Sequence, residues 1–232
     1  MTTIYLIRHG QASFGHENYD QLSPRGEQQA QVLGQYLQQL LKEPPYVMAG
    51  AMLRHQQTAK LALAESFPSA QIHTDAAWNE FDHQQVFAQY TSRVADPSLI
   101  QQAVQQPENN AAYLKQIFHD AIARWTGGEY HHEYEESWPV FQQRIEQALQ
   151  ALCHDLERDN PRYALIFTSG GVISNIVGQL LELSLKKTFE LNWAISNASI
   201  STLRLSNQEA KLLSLNEHHF LKAKNTELLT WI

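Results

Sequence analysis

The sequence has a single cysteine and few glycines and prolines. Cys153 is the one cysteine among 232 residues, so the chain cannot form an internal disulfide. This low cysteine content is typical of proteins in a reducing compartment. Ten glycines and eight prolines fall below the combined average of about 12%. This composition excludes collagen-like, linker and low-complexity sequences, and a hydrophobic content of 43% is that of a packed globular protein.

Long apolar runs and an excess of positive charge are absent as well. The first apolar run, residues 4–7, ends at Arg8 and lacks the basic region of a secretory signal. No run approaches the roughly 18 apolar residues of a membrane span. Seventeen Lys and Arg against 24 Asp and Glu give a formal net charge of −7, which argues against a general nucleic-acid binder. The sequence therefore predicts a cytoplasmic protein with no membrane and no nucleic-acid partner.

Strand and helix patterns alternate through both ends of the chain. Apolar, β-prone runs predict strands at 3–8, 46–52, 71–74 and 162–167, and a closing hairpin of strands 200–205 and 210–215. Apolar residues at helical spacing predict helices that begin at Pro24 after the capping residue Ser23, and at 54–66, 141–156 and about 172–183. This alternation predicts an α/β fold with a mostly parallel central sheet and right-handed crossovers.

The middle of the chain, about residues 83–137, lacks strand patterns. A broad helical stripe runs from Leu114 to Trp125, followed by the acidic and aromatic run 129–136. We interpret this segment as a helical insertion over the strand ends within a single domain of residues 1–232. Its candidate substrate contacts are Arg93, Lys115, Arg124 and the run itself, although a solvated acidic turn is the favoured interpretation of that run.

Several other chemistries lack their sequence patterns. The chain has no P-loop, no G-x-G-x-x-G after a strand and no H-E-x-x-H zinc motif. Cys153 lies in a helical stripe and is interpreted as a packed thiol. Adjacent histidines such as His131 and His132 diverge in direction, whereas metal ligands converge. We therefore expect no metal site and no cofactor.

Reactive side chains follow the predicted strands at the points where each strand ends. Arg8 ends the first strand and His9 follows it, Arg54 follows the second strand and Glu80 follows the third. Ligands in open α/β sheets bind outside the carboxyl ends of the strands, so we expect these side chains to meet. A neutral imidazole is a nucleophile toward phosphorus, and the guanidinium fork suits phosphate oxygens.

Two further features complete this predicted phosphate site. Glu80 lies between Trp78 and Phe81, where desolvation would raise its pKa and suit it to donate a proton to a leaving oxygen. Ser169 and Gly170 follow the fourth parallel strand and open a helix, whose N-terminal N–H groups favour an anion.

The motifs taken together resemble the histidine phosphatase superfamily, the phosphoglycerate-mutase-like proteins. The matching segments are 6–10 (LIRHG), 22–30 (LSPRGEQQA), 53–59 (LRHQQTA), Glu80, 136–144 and 168–173. The resemblance implies a phosphoglycerate-mutase-like three-layer sandwich. It also implies a reaction that needs no metal. It also implies that His9 becomes phosphohistidine, that Arg8 and Arg54 hold phosphoryl oxygens, and that Glu80 protonates the leaving alcohol and then helps activate water.

The sequence departs from the family pattern at two places. Ser169 stands where the family has a second histidine that touches a phosphoryl oxygen, and loss of one such donor costs about 10²–10³ in rate. The segment 11–15 lacks the Glu-Ser pair and the later Asn often seen after the Arg-His-Gly motif. We retain Gln11, Ser169 and Gly170 as expected phosphate contacts. His55 is a candidate for the missing imidazole, but as the helical neighbour of Arg54 it is expected to point elsewhere.

Three functions follow from this comparison. The first is a phosphomonoesterase, possessing all four of Arg8, His9, Arg54 and Glu80. The second is an attenuated pseudoenzyme or phospho-ligand binding protein, with Ser169 as the lesion, and the third is a phosphoglycerate mutase. In each case the expected partner is a small-molecule phosphate ester or inorganic phosphate. Sugar phosphate, nucleotide, phosphoprotein and cofactor phosphate all stay open as substrates, and so does the oligomeric state.

Overall fold

A computed structural model describes residues 1–13, 20–94 and 110–231 of the chain. Its strands are β1 (Thr2–Arg8), β2 (Tyr46–Ala49), β3 (Ile72–Thr74), β4 (Tyr163–Thr168), β5 (Ile200–Ser206) and β6 (Glu209–Glu217). Its α-helices are α1 (Pro24–Leu40), α2 (Leu53–Ser66), α3 (His83–Val94), α4 (Ala111–Thr126), α5 (Trp138–Asp159), α6 (Gly170–Leu180), α7 (Leu185–Ala194) and α8 (His219–Lys224). The described residues form two compact units, one of Met1–Glu80 with Ile145–Ile232 and one of Phe81–Arg144.

The first unit is built on a six-stranded sheet in the order β3-β2-β4-β1-β5-β6. The neighbours β3-β2, β2-β4 and β4-β1 pair in parallel, whereas β5 and β6 are antiparallel. This confirms the predicted α/β fold with a mostly parallel sheet. The closing hairpin is also confirmed, and Asn207 and Gln208 take positive φ values of 52° and 62° at its turn, as a two-residue type I′ turn requires.

Strands β1 and β4 lie at the centre of the sheet because both are almost continuously apolar. Ile4, Leu6, Ala164 and Ile166 are fully buried on one face of the sheet. The alternate residues of the same strands join a core cluster with the apolar stripes of α1 and α2 on the other face. A parallel sheet needs this cover on both sides, and it leaves only the strand ends open for chemistry.

Three elements of this unit differ from the sequence prediction. Strand β2 ends at Ala49 rather than at Met52. The residues that follow cannot continue the strand, because the Asn79 side-chain oxygen accepts hydrogen bonds from Ala51 N at 2.7 Å and from Met52 N at 3.3 Å.

Helices α7 and α8 were not predicted. For α7 the sequence pattern was present and was missed, since Leu185, Phe189 and Trp193 recur at helical spacing after the capping residue Ser184, which accepts from Lys187 N at 3.4 Å.

The second unit, Phe81–Arg144, contains α3, α4 and the start of α5. The predicted helical stripe 114–125 is confirmed as α4. Its Trp125 ring stacks on Phe81 at 4.6 Å and meets the edge of Trp138 at 5.2 Å. Part of the predicted insertion, residues 95–109, lies outside the described residues, and its placement over the strand ends stays a prediction.

The acidic run 129–136 binds the cations of its own unit. Glu133 accepts from Arg124 at 2.6 Å and lies 3.1 Å from Arg93, and Arg124 also stacks over Tyr130 with its guanidinium carbon 3.7 Å from the ring centroid. Two of the three cations that the sequence offered for substrate contact are therefore engaged by a carboxylate of this run.

Cys153 is buried and unbonded to another cysteine, and burial raises the pKa of its thiol to about 11. This agrees with a packed rather than a reactive thiol. Across residues 1–13, 20–94 and 110–231, no helix has the length and apolar character needed to cross a bilayer. The same residues contain no cluster of three His, Cys, Asp or Glu side chains suited to a metal ion.

Candidate active site

His9 is held at the end of β1 by backbone contacts on both sides. Its N–H donates to Thr168 O of β4 at 2.9 Å, and its carbonyl accepts from Ala198 N, just before β5, at 3.1 Å. The residue is 7% exposed. The central strands of the sheet therefore fix the position of the imidazole.

The surroundings of His9 keep its imidazole neutral. Burial lowers the pKa of His9 well below its usual value, and the positive charges of Arg54 and Arg8 lower it further. Nδ1 lies 2.6 Å from Gly10 O, to which it donates as N–H. The lone pair is then on Nε2, where Arg54 Nε donates at 3.2 Å. This tautomer presents a nucleophilic nitrogen to any ligand that Arg54 binds.

Arg54 lies in the first turn of α2, directly after the loop that follows β2. Its Nη1 forms an ion pair of 2.6 Å with Asp20 Oδ1, while Asp20 Oδ2 accepts from Leu53 N at 2.7 Å. Asp20 therefore both caps α2 and orients the Arg54 guanidinium. Sequence reasoning missed this residue, since nothing in its local pattern marks it.

Arg8 reaches the loop before β5, where its guanidinium donates to Ile195 O. It also lies beside the first residue of α6, because a Cβ added at Gly170 would be 3.5 Å from Arg8 Nε. Gly170 thus allows the arginine to approach the α6 backbone. The predicted proximity of Arg8 and Gly170 is present in the structure.

Glu80 occupies the N-terminus of α6. Its Oε2 accepts from Gly171 N at 2.8 Å, and any Cβ at position 171 would overlap the carboxylate. The segment before Glu80 is tied to β4 by the Thr168 hydroxyl, which donates to Trp78 O at 2.6 Å. Helix N-termini attract carboxylates through their unpaired N–H groups. The predicted anion site at this turn is therefore shared with Glu80, and the Gly171 N–H does not stand open for phosphate.

Ser169 contacts His55, which corrects the expectation that His55 points away. His55 Nε2 and Ser169 Oγ lie 2.6 Å apart, and both side chains are fully buried. The His55 and His9 ring centroids are 5.6 Å apart. The expectation was wrong because the first turn of α2 lies against the ends of the strands, so the consecutive residues Arg54 and His55 both reach the site. Gly50 makes the room, since a Cβ there would overlap His55 Nδ1.

A family model described as the histidine phosphatase superfamily (branch 1) matches residues 4–218. The chain belongs to the histidine phosphatase superfamily. The resemblance drawn from the Arg-His-Gly motif and its companions is thereby confirmed. No curated protein sequence matches this chain with statistical significance.

Solved structures of similar fold support the phosphoglycerate-mutase-like architecture. A phosphoglycerate mutase from Bacillus anthracis superposes with a TM-score of 0.64 at 16% identity, covering 95% of each chain. An alpha-ribazole phosphatase from Shigella flexneri gives 0.61 at 20% identity, covering 93% of this chain and 96% of the other. A phosphoserine phosphatase from Entamoeba histolytica gives 0.62 at 17% identity, covering 95% and 100%. At these identities the likeness establishes the fold alone.

In this histidine phosphatase superfamily member, Gln11 connects the His9 loop to α1. Its side-chain oxygen accepts from Ser23 Oγ at 3.0 Å, and its N–H donates to Gln29 Oε1 at 2.7 Å. The buried Gln29 also donates to Leu228 O at 2.7 Å and to Thr230 Oγ1 at 2.8 Å. Gln11 thus holds the loop, and its predicted phosphate contact stays a prediction. Residues 14 and 15 of the divergent segment 11–15 lie outside the described residues.

Proposed function

We propose that this superfamily member is a phosphomonoesterase that hydrolyses a small phosphate ester through a phosphohistidine intermediate on His9. The observation that carries the proposal is the buried, neutral His9, whose Nδ1–H is paired with Gly10 O and whose Nε2 faces Arg54. A protein that only bound phosphate would gain more from a protonated imidazole, since a cation attracts the dianion. The site instead disfavours that proton.

The first step transfers the phosphoryl group to the enzyme. The lone pair on His9 Nε2 attacks phosphorus, the ester P–O bond breaks, and its electron pair leaves on the alcohol oxygen, which takes a proton from Glu80. Arg8 and Arg54 bind the equatorial oxygens, whose charge is stabilised in the transition state. The Gly10 carbonyl accepts the Nδ1–H of the phosphorylated ring, which carries positive charge.

The second step returns the enzyme to its starting state. Water attacks phosphorus, the N–P bond breaks with its electron pair returning to Nε2, and the Glu80 carboxylate accepts a proton from the water. Inorganic phosphate leaves. A dianionic phosphate close to Glu80 favours its protonated form, because two negative charges at short range repel. Each turnover therefore ends with Glu80 again able to donate.

Release of p-nitrophenol from p-nitrophenyl phosphate, in the presence of a chelator, tests this function. We expect turnover by the wild type, and its loss in His9→Ala. His154→Ala, which alters an exposed histidine of the same unit, is the matched control and keeps full activity. Alkaline quenching followed by mass spectrometry is expected to find one added phosphoryl group on the peptide that carries His9.

The role of Glu80 is tested by the choice of leaving group. Glu80→Gln removes the proton donor, and general acid catalysis contributes about 10²–10⁴ in rate. We expect a loss of this size on an alkyl phosphate, and a much smaller loss on p-nitrophenyl phosphate, whose leaving group departs without a proton. Equal losses on both substrates would exclude Glu80 as the acid.

The alternatives predict other results in the same assays. Tight binding of inorganic phosphate with no turnover of any ester would favour the phospho-ligand binding protein. Transfer of the phosphoryl group to a hydroxy acid in preference to water would favour the mutase. Full activity in His9→Ala would contradict the phosphohistidine mechanism.

A further inference from the structure

We propose that His55 is a positioning residue that acts through Ser169: its Nε2–H donates to Ser169 Oγ and directs the proton of that hydroxyl toward a phosphoryl oxygen at His9. The inference rests on the proposed function, because it assigns a second imidazole to the same phosphate site. It gives the neutral Ser169 a fixed orientation that a lone hydroxyl would not have.

The contact between the two side chains is short and shielded from water. His55 Nε2 and Ser169 Oγ are 2.6 Å apart, and neither residue is exposed. A buried hydrogen bond is stronger than the same bond in water, because the surrounding dielectric is low. The two side chains come from α2 and from the end of β4, so the bond joins two of the strand ends that form the site.

The protonation of His55 decides the direction of this bond. Burial and the charge of Arg54 lower the pKa of His55 well below its usual value, so the ring is neutral and carries one N–H. Among the described residues, Nδ1 has no hydrogen-bond partner. A proton on Nδ1 would leave a buried donor unpaired, which is costly. The proton therefore lies on Nε2, and Ser169 accepts it.

The Ser169 side chain also does not cap the helix that follows it. Ser169 is the residue before α6, where a serine ordinarily accepts a hydrogen bond from the first turn of the helix. Its side chain makes no such cap, and the Gly171 N–H is bound by Glu80 instead. Since Ser169 Oγ accepts from His55, its own proton is directed to another acceptor.

The backbone places Ser169 directly after the residue that holds His9. The preceding residue, Thr168, accepts the backbone N–H of His9 at 2.9 Å and pairs with Arg8 in the sheet register. The His55 ring lies 5.6 Å from the His9 ring, measured between centroids. A phosphoryl group on His9 Nε2 would therefore bring its oxygens to the group formed by Arg54, Ser169 and Arg8.

The test is a double-mutant cycle on steady-state turnover and on inorganic phosphate binding. His55→Leu removes the donor at similar volume, His55→Gln returns an N–H near the Nε2 position, and Ser169→Ala removes the hydroxyl. We expect Ser169→Ala to lower kcat about 10²-fold, the order found for one preorganised donor. His55→Leu is expected to lower kcat about tenfold and to raise KM as well, because the oriented hydroxyl also binds the ground-state phosphate, and His55→Gln is expected to recover most of both losses.

The coupling between the two positions separates positioning from mere packing. In the Ser169→Ala background, His55→Leu is expected to change kcat less than about twofold, because the hydroxyl that it orients is gone. An equal loss in both backgrounds, or no loss in the wild type, would overturn the proposal. If His55→Leu does not fold, His55→Gln and His55→Asn are compared with each other, in the wild type and again in Ser169→Ala. The two amide side chains present their N–H groups near the places of different nitrogens of the imidazole.

The binding measurement keeps this proposal distinct from the proposed function. If the wild type hydrolyses no ester, the phosphatase proposal fails. The affinity for inorganic phosphate, measured by calorimetry, then tests the positioning role by itself. We expect His55→Leu to weaken it about tenfold when Ser169 is present and to leave it unchanged in Ser169→Ala. Unchanged affinity in both backgrounds would overturn the role of His55.

Discussion

Acidification should destabilise this protein through His9 and His55. Both are buried, and both have a pKa well below the ordinary value. The unfolded chain binds protons on both rings as the pH falls below about 6.5, whereas the folded chain does not, so stability is complete above that pH and decreases below it. A ring that stays neutral when folded loses about 1.4 kcal/mol between about pH 7.5 and 5.5, and two rings lose about twice that.

Urea denaturation at the two pH values, in buffers without phosphate, measures this effect. His55→Gln removes one titrating ring, so its stability should decrease between the two pH values by about 1.4 kcal/mol less than that of the wild type. His154→Gln, at an exposed position of the same unit, is the control and should retain the wild-type dependence. If the wild type and His55→Gln lose equal stability on acidification, then His55 is not buried as the neutral ring described above.

Two further substitutions test the supports of the site. Gly171→Ala places a methyl group on the Glu80 carboxylate, so turnover of an alkyl phosphate should fall as it does in Glu80→Gln; unchanged turnover would show that the acid does not need its place on α6. Gln29→Leu leaves buried backbone groups unpaired, and the free energy of unfolding in urea should fall by about 2–4 kcal/mol. Gln31→Leu, at an exposed position of the same helix, is its control, and an equal loss in both would contradict this account.

The sequence predicted the sheet and the place of His9 at a strand end because their signals are local. The apolar runs of β1 and β4 identify central strands, and the Arg8-His9-Gly10 motif marks the end of one of them. The contacts that complete the site join residues far apart in the chain. His55 meets Ser169 across 114 positions, and Glu80 meets Gly171 across 91.

The orientation of these side chains depends on features that have no local pattern. His55 turns toward Ser169 because Gly50 leaves space for its ring, and this space is visible only in three dimensions. Asp20 pairs with Arg54 from a segment without a regular element. Helix periodicity gives the direction of a side chain relative to its own axis, but it does not say which other element stands over the first turn.

The position of β1 within the sheet affects how the protein folds during its synthesis. β1 is synthesised well before both of its neighbours, β4 and β5, which begin beyond residue 160. Until those strands emerge, the apolar segment that carries His9 is an unpaired edge, which is prone to aggregate. A nascent chain thus contains His9 long before it contains the strands that fix the position of its imidazole.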